Sequence, residues 1–256
     1  MMVEENYYVD KLKVRIFNDA KQMGISAADA IRDDILDLLS EKDEISVMFA
    51  AAPSQDTTLD ALKTLEDIPW GRVNAFHMDE YVGISEQAPQ SFRNYLKRHF
   101  FDNFNFKSLN LLDADREDYL EAAKEYDSKL RTLGIDLIVL GIGENGHIAF
   151  NDPPFSKFDD SDWVKVIKLT ETSRIQQVHD GCFEKLEQVP EYALTVTIPA
   201  FLSATKLHCV VPGKLKAPAV KKTLEGEISE DCPASVLRTR VGATLYIEKD
   251  SASLLK

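Results

Sequence analysis

Long apolar runs are missing from this 256-residue chain. Nowhere do about 18 apolar residues stand together, so no membrane-spanning helix is expected. Cysteine is scarce: Cys182, Cys209 and Cys232 are widely spaced, which argues against a disulfide framework and for reduced thiols. The opening segment MMVEENYYVDKLKV holds no apolar stretch of the kind an export signal needs, so a cytoplasmic location is expected. Cations are outnumbered, 30 Lys and Arg against 43 Asp and Glu, for a formal charge of -13. Such a field repels nucleic acid and anionic lipid, and neither is an expected partner. It also opposes small anions, so an anionic substrate would need backbone N–H groups and a few cations gathered locally. Internal repeats, low-complexity tracts and long Gly/Ser/Pro linkers are absent too, and a single domain over 1–256 is the expectation.

What is present is the composition of a soluble globular protein, 44% hydrophobic and 29% charged. Short apolar runs alternate with helical patterns. The runs Leu12 to Phe17, Ile45 to Ala50 and Val73 to Met78 read as strands. Between them SAADAIRDDILDLLSEK carries a helical stripe, with Ser26 and Asp29 as an expected capping pair, and TTLDALKTLED follows Asp56 as an expected N-cap. SFRNYLKRHFFDNF reads as a helix, as does REDYLEAAKEYDSKLRTLG, which Gly134 ends before the strand IDLIVLGI. The strand LHCVVP, the helix LKAPAVKKTLEG and the strand ATLYIE repeat the theme. This order predicts an α/β fold, a Rossmann-like doubly wound, mostly parallel sheet with helices on both faces. Ligands in such folds bind beyond the carboxyl ends of the strands.

Three loops after predicted strands carry chemistry. FHMDEYVG brings Asp79 and Glu80; GIGENGHIAFNDPP brings Gly141, Gly143, Asn145, Gly146, His147 and Asp152; VVPGKLKAPAV brings Lys214 and Lys216 to a helix start. A post-strand aspartate is often only a cap and a helix-start lysine often only a solvated charge. His147 is the strongest of the five histidines for acid–base work, because glycines around it permit close backbone approach and Asn145 and Asp152 are near enough to orient its ring. Converting an aldose phosphate to a ketose needs a base at C2, a proton relay at the ring oxygen and a phosphate anchor, and these loops supply one of each.

The segments FHMDEYVG, SFRNYLKRHFF, GIGENGHIAFNDPP, VPEYALTVTIP and GKLKAPAVKKTLEG, from about residue 45 to about residue 237, resemble the glucosamine-6-phosphate deaminases, related more remotely to the 6-phosphogluconolactonases. The resemblance implies an enzyme that opens an amino-sugar phosphate ring, isomerises it and releases ammonia, with no cofactor or metal. It implies Asp79 as the residue moving a proton between C2 and C1, His147 as the ring-opening histidine supported by Asn145 and Asp152, and Lys216 as a phosphate ligand. Ser54, Glu80, Gly143, Gly146 and Arg174 are expected to contact substrate. Assembly into a homo-oligomer is compatible with the resemblance, which does not fix it.

The chain departs from the family pattern at four places. Asn145 stands where an aspartate is usual, and Asp152 where a glutamate is usual. The phosphate loop reads AAAPSQDT instead of being rich in Gly and Thr, although Ser54 and nearby N–H groups can still hold a phosphate at a helix start. An arginine expected near His179 is missing, with Arg174 close in sequence.

Four other readings compete. Gly141, Gly143 and Gly146 spell G-x-G-x-x-G, the dinucleotide signature, but Pro153 and Pro154 oppose the helix that should follow. His147 with Asp152 suggests a metal hydrolase, lacking a third ligand. A lactone hydrolase would need the histidine and phosphate site but not Asp79. A sugar-phosphate sensor would bind without turnover.

Overall fold

A computed structural model describes residues 5–256. Eight strands form one sheet: β1 (Glu5–Val9), β2 (Leu12–Phe17), β3 (Ile45–Phe49), β4 (Val73–His77), β6 (Ser108–Asn110), β7 (Leu137–Leu140), β10 (Lys206–Val211) and β11 (Ala243–Glu248). Their order is β1-β2-β11-β10-β7-β3-β4-β6, and every pairing is parallel except the β1–β2 hairpin. Residues alternate between the two faces of each strand. Met48, Ile138 and Leu140 therefore join the apolar layer under α4 (Tyr119–Leu133), α6 (Ile198–Ser203) and α7 (Ala217–Glu225). Val47, Phe49, Leu137 and Val139 join the layer under α1 (Ala20–Glu41), α2 (Asp56–Lys63) and α3 (Phe92–His99). This is the doubly wound arrangement expected from the alternation of elements.

Three features depart from that expectation. The first helix begins at Ala20, where the Asp19 carboxylate accepts the Gln22 N–H at 2.8 Å, and Ser26 is buried within it instead of capping it. Gly24 discourages reading a helix that far upstream. Here its lack of a side chain is what lets α1 approach α2, since a Cβ would lie 2.7 Å from Thr57. Asp56 is the first residue of α2, not its cap, because a tight turn at Pro53–Gln55 precedes it, and its carboxylate takes the Tyr95 hydroxyl.

A second, antiparallel sheet is the third departure. It joins β5 (Asp79–Tyr81), β9 (Tyr192–Val196) and β8 (Val164–Lys168). The chain leaves β4 at His77, passes Met78 and re-pairs at once in this small sheet, which sets Asp79 opposite Thr195. The third strand ends where expected, but the segment read as the loop after it is itself a strand of a second sheet, and the switch places Asp79 beyond the carboxyl end of the parallel layer.

Candidate active site

A cleft with about 670 Å³ of space, part of it open to solvent, lies where β3, β4, β7 and β10 end. Asp79, His147, Ser54, Gly143 and Lys216 all line it, so four segments far apart in sequence converge as expected for ligand sites in such sheets.

The imidazole of His147 is held from one side. Its Nδ1 lies 2.8 Å from Asn145 Oδ1, 3.0 Å from Asp152 Oδ1 and 3.3 Å from Ser173 Oγ. Three oxygens around Nδ1 assign the ring proton to that nitrogen and leave the Nε2 lone pair for a ligand. Asn145 acts as a neutral bridge, its oxygen on the imidazole and its amide donating to Asp152 Oδ1 at 2.7 Å. Asp152 also accepts the Ser173 hydroxyl at 2.6 Å. Burial would raise the Asp152 carboxyl, but the neighbouring His147, Ser173 and Asn145 together hold it below the usual carboxylate range. Ring position is set by Gly143 as well: a Cβ there would fall 2.1 to 2.4 Å from the atoms Cε1, Nε2 and Nδ1.

Asp79 is the opposite kind of group. Its carboxylate accepts no hydrogen bond from any described residue, and burial, reinforced by the charge of Glu80, pushes its pKa well above the ordinary value. A buried carboxylate with no donor is a basic one, suited to taking a proton from carbon. Lys216 is the cationic counterpart. Its ammonium has no hydrogen-bond or ion-pair partner among the described residues, and burial lowers its pKa while Asp180 and Glu144 partly restore it. Ser54, Ala51 and Ala52 line the same cleft. Ser54 Oγ accepts from Gln55 Nε2 at 3.1 Å, which leaves its proton to donate.

Three expected contacts are corrected. Glu80 does not face the cleft: its carboxylate accepts from Ser91 Oγ (2.7 Å) and from the N–H groups of Tyr81 (3.0 Å), Phe92 (3.1 Å) and Arg93 (2.9 Å), so it caps α3 from within. Alternation along β5 turns Glu80 away when Asp79 faces in. Arg174 lies outside the cleft, because its guanidinium donates to the Leu186 and Val189 carbonyls at 2.8 and 2.9 Å. Gly146 sits in the turn below, its N–H on the Gly143 carbonyl, against Cys232 and not the cleft.

The structure adds residues that sequence reasoning missed. Helix α5 (Glu171–His179) carries Ser173, Gln176 and Gln177, all buried, with Gln176 and Gln177 in the cleft wall beside Asp180, which follows the helix. Their spacing of three, four and seven places them on one helix face, a polar stripe where an apolar one is the rule. That inversion was visible in ETSRIQQVHD. Phe92 and Phe150, tilted against Tyr81 and against each other, form the apolar wall.

The Gly141–Gly146 turn opens no helix. It runs into Ile148–Asn151, a single isolated bridge, so there is no helix start to take a pyrophosphate.

Fold and cleft define the class: an α/β protein with acid–base groups and one unpaired buried cation gathered at the carboxyl edge of a parallel sheet. The chain belongs to the family of glucosamine-6-phosphate isomerases/6-phosphogluconolactonase, whose model matches residues 18–246. A glucosamine-6-phosphate deaminase of Clostridium acetobutylicum is 34% identical over 248 residues, 95% of this chain and 100% of that protein. The deaminase of Exiguobacterium sibiricum is 37% identical over 183 residues, 72% of this chain and 71% of its own length. Among solved structures, a monomeric glucosamine-6-phosphate deaminase superposes with a TM-score of 0.86 at 30% identity, covering 94% of this chain and 99% of that one. A 6-phosphogluconolactonase from Thermotoga maritima superposes with a TM-score of 0.74 at 19% identity over 92% and 99% of the two chains, which is likeness of fold alone. No helix among the described residues is long and apolar enough to cross a membrane.

Proposed function

We propose that this chain is an amino-sugar phosphate deaminase that converts glucosamine 6-phosphate, or a close relative, to a ketose phosphate and ammonia. The observation that carries the reading is the buried, unpartnered carboxylate of Asp79 in the same cleft as a supported imidazole. A lactone hydrolase needs the imidazole and a phosphate anchor but has no proton to take from C2.

Lys216, the Ser54 hydroxyl and the N–H groups of Ala51 and Ala52 hold the phosphate. His147 Nε2 takes the proton of the C1 hydroxyl and returns it to the ring oxygen, which opens the ring. The imidazolium formed in between is stabilised by Asp152, with Asn145 fixing the geometry. Asp79 then takes the C2 proton and delivers it to C1 while the amino nitrogen gives up a proton and O1 gains one, which turns the open-chain amino aldehyde into a ketimine bearing a C1 hydroxyl. Water adds to C2 of the ketimine, and ammonia leaves as the C2 carbonyl forms. The family relationship and the deaminase relatives support this assignment.

Incubation of the protein with glucosamine 6-phosphate and, separately, with 6-phosphogluconolactone tests it. Ammonia and fructose 6-phosphate in equal amounts from the amino sugar are expected. Acid from the lactone with no ammonia from the amino sugar would overturn it.

A further inference from the structure

The polar stripe of α5 is not used up by the chemistry just described. Ser173 is consumed by Asp152 and His147. Gln176 is consumed as well: its oxygen accepts the Glu144 N–H at 2.8 Å and its amide reaches Asp180 at 3.3 Å, which ties the glycine-rich loop to the helix. Gln177 is different. Its Oε1 accepts the Tyr81 hydroxyl at 2.6 Å, and its Nε2 has no partner among the described residues, although the side chain is 94% buried and forms part of the cleft wall.

The amide nitrogen is the end of this otherwise buried side chain that stays open to solvent in the cleft wall, so its two N–H bonds are free to donate to a ligand. Tyr81 fixes which end faces the cleft, because a hydroxyl donating to Oε1 turns the amide nitrogen the other way. Tyr81 is itself immobilised: it is fully buried between Phe92, Phe150 and Phe183 and shares a strand face with Asp79. The residue that orients the donor therefore stands on the same short strand as the residue assigned to C2.

We infer that Gln177 is a specificity-determining residue whose Nε2 donates to a hydroxyl oxygen of the substrate's sugar chain. The ligand class is a hexose phosphate bearing a hydroxyl within reach of this amide, and sugars lacking that oxygen or presenting it in the opposite configuration are discriminated against. This rests on the sugar-phosphate reading of the cleft and extends it to substrate choice. A site built to hydrogen-bond a substrate hydroxyl rejects the analogue without it, because its own buried donor is then left unpaired.

The test is a cycle of variant against analogue. Gln177→Glu keeps the oxygen that accepts from Tyr81 and removes the donor; Tyr81→Phe keeps the donor and removes the hydrogen bond that orients it. Binding of glucosamine 6-phosphate and of its 3-deoxy and 4-deoxy analogues is measured by calorimetry, and ammonia release alongside. Wild type is expected to lose on the order of tenfold or more in affinity for one of the deoxy analogues. Gln177→Glu should bind that analogue and the parent sugar equally, and Tyr81→Phe should show a reduced but measurable preference. Should Gln177→Glu fail to fold, Gln177→Leu replaces it with the same expectation. Penalties unchanged in the Gln177 variant, or no penalty for either analogue in wild type, would overturn the assignment. Wild type that binds the sugars and releases no ammonia would contradict the deaminase reading alone, and wild type that binds none of them would overturn both.

Discussion

Asp79 and Glu80 are adjacent, acidic and buried, and they are treated in opposite ways. Glu80 receives four hydrogen bonds and lies 3.4 Å from the Arg93 guanidinium, whose other nitrogens meet Asp113 and Asp115. Burial still raises its carboxyl above the ordinary value, but Arg93, Ser91 and the Phe92 N–H pull it back. Asp79 receives nothing, and burial and the charge of Glu80 push the same way. One residue of strand separates a carboxylate that fastens the fold from one that is kept reactive. The structural one is placed where donors already exist, at the start of α3; the reactive one is turned into the cleft, where a ligand supplies the missing partner.

The largest effect expected from breaking this pair is on chemistry. Asp79→Asn keeps the size and removes the base, so ketose formation should fall on the order of a thousandfold while the sugar phosphate still binds. Exchange of the C2 proton with solvent is the measurement, and exchange at the wild-type rate would remove Asp79 from the mechanism. Glu80 should fail in stability instead. Glu80→Ala strands the four donors and Arg93, and unfolding by denaturant should show a loss of about 3–5 kcal/mol. A loss below about 1 kcal/mol would mean that the cap is dispensable.

A smaller effect belongs to Asp152, whose carboxyl is held low despite its burial. A depressed carboxylate adds stability above its unfolded value and loses it as pH falls through its folded value. Asp152→Asn should therefore lower the melting temperature at neutral pH and flatten its decline on acidification. Turnover should drop on the order of a hundredfold as the His147 ring loses its anion. Parallel acid declines in the two proteins would show that Asp152 is not the group responsible.

The same contrast marks what was legible in the sequence. The parallel sheet, its two helical layers and the convergence of Asp79, His147 and Lys216 follow from alternation and from the rule that loops at strand carboxyl ends carry the site. Glu80 was misread because adjacency in sequence suggests adjacency in space, whereas a strand sends neighbours to opposite faces. Arg174 was misread for a similar reason: closeness to His179 in sequence places it on α5, but about 100° around the helix from Ser173, where it anchors the 186–189 turn. Ser173 and Gln177 were missed because their partners, Asp152 and Tyr81, are 21 and 96 residues away. The small antiparallel sheet was missed because Asp79 to Tyr81 is too short to read as more than the loop after a strand, and the segments it pairs with, Tyr192–Val196 and Val164–Lys168, lie far along the chain.

The central claim is that Asp79 is retained against the interest of the fold. Its raised pKa means that the folded state holds a proton the unfolded state has already released, so stability falls as pH rises from the ordinary carboxylate range through the folded value and stays low above it. Unfolding free energies of wild type and Asp79→Asn, measured side by side from acid to neutral pH, test this directly. The two proteins should be equally stable in acid, and the variant should become the more stable one as pH rises. A variant less stable than wild type at neutral pH would contradict the account and make Asp79 a structural carboxylate like its neighbour.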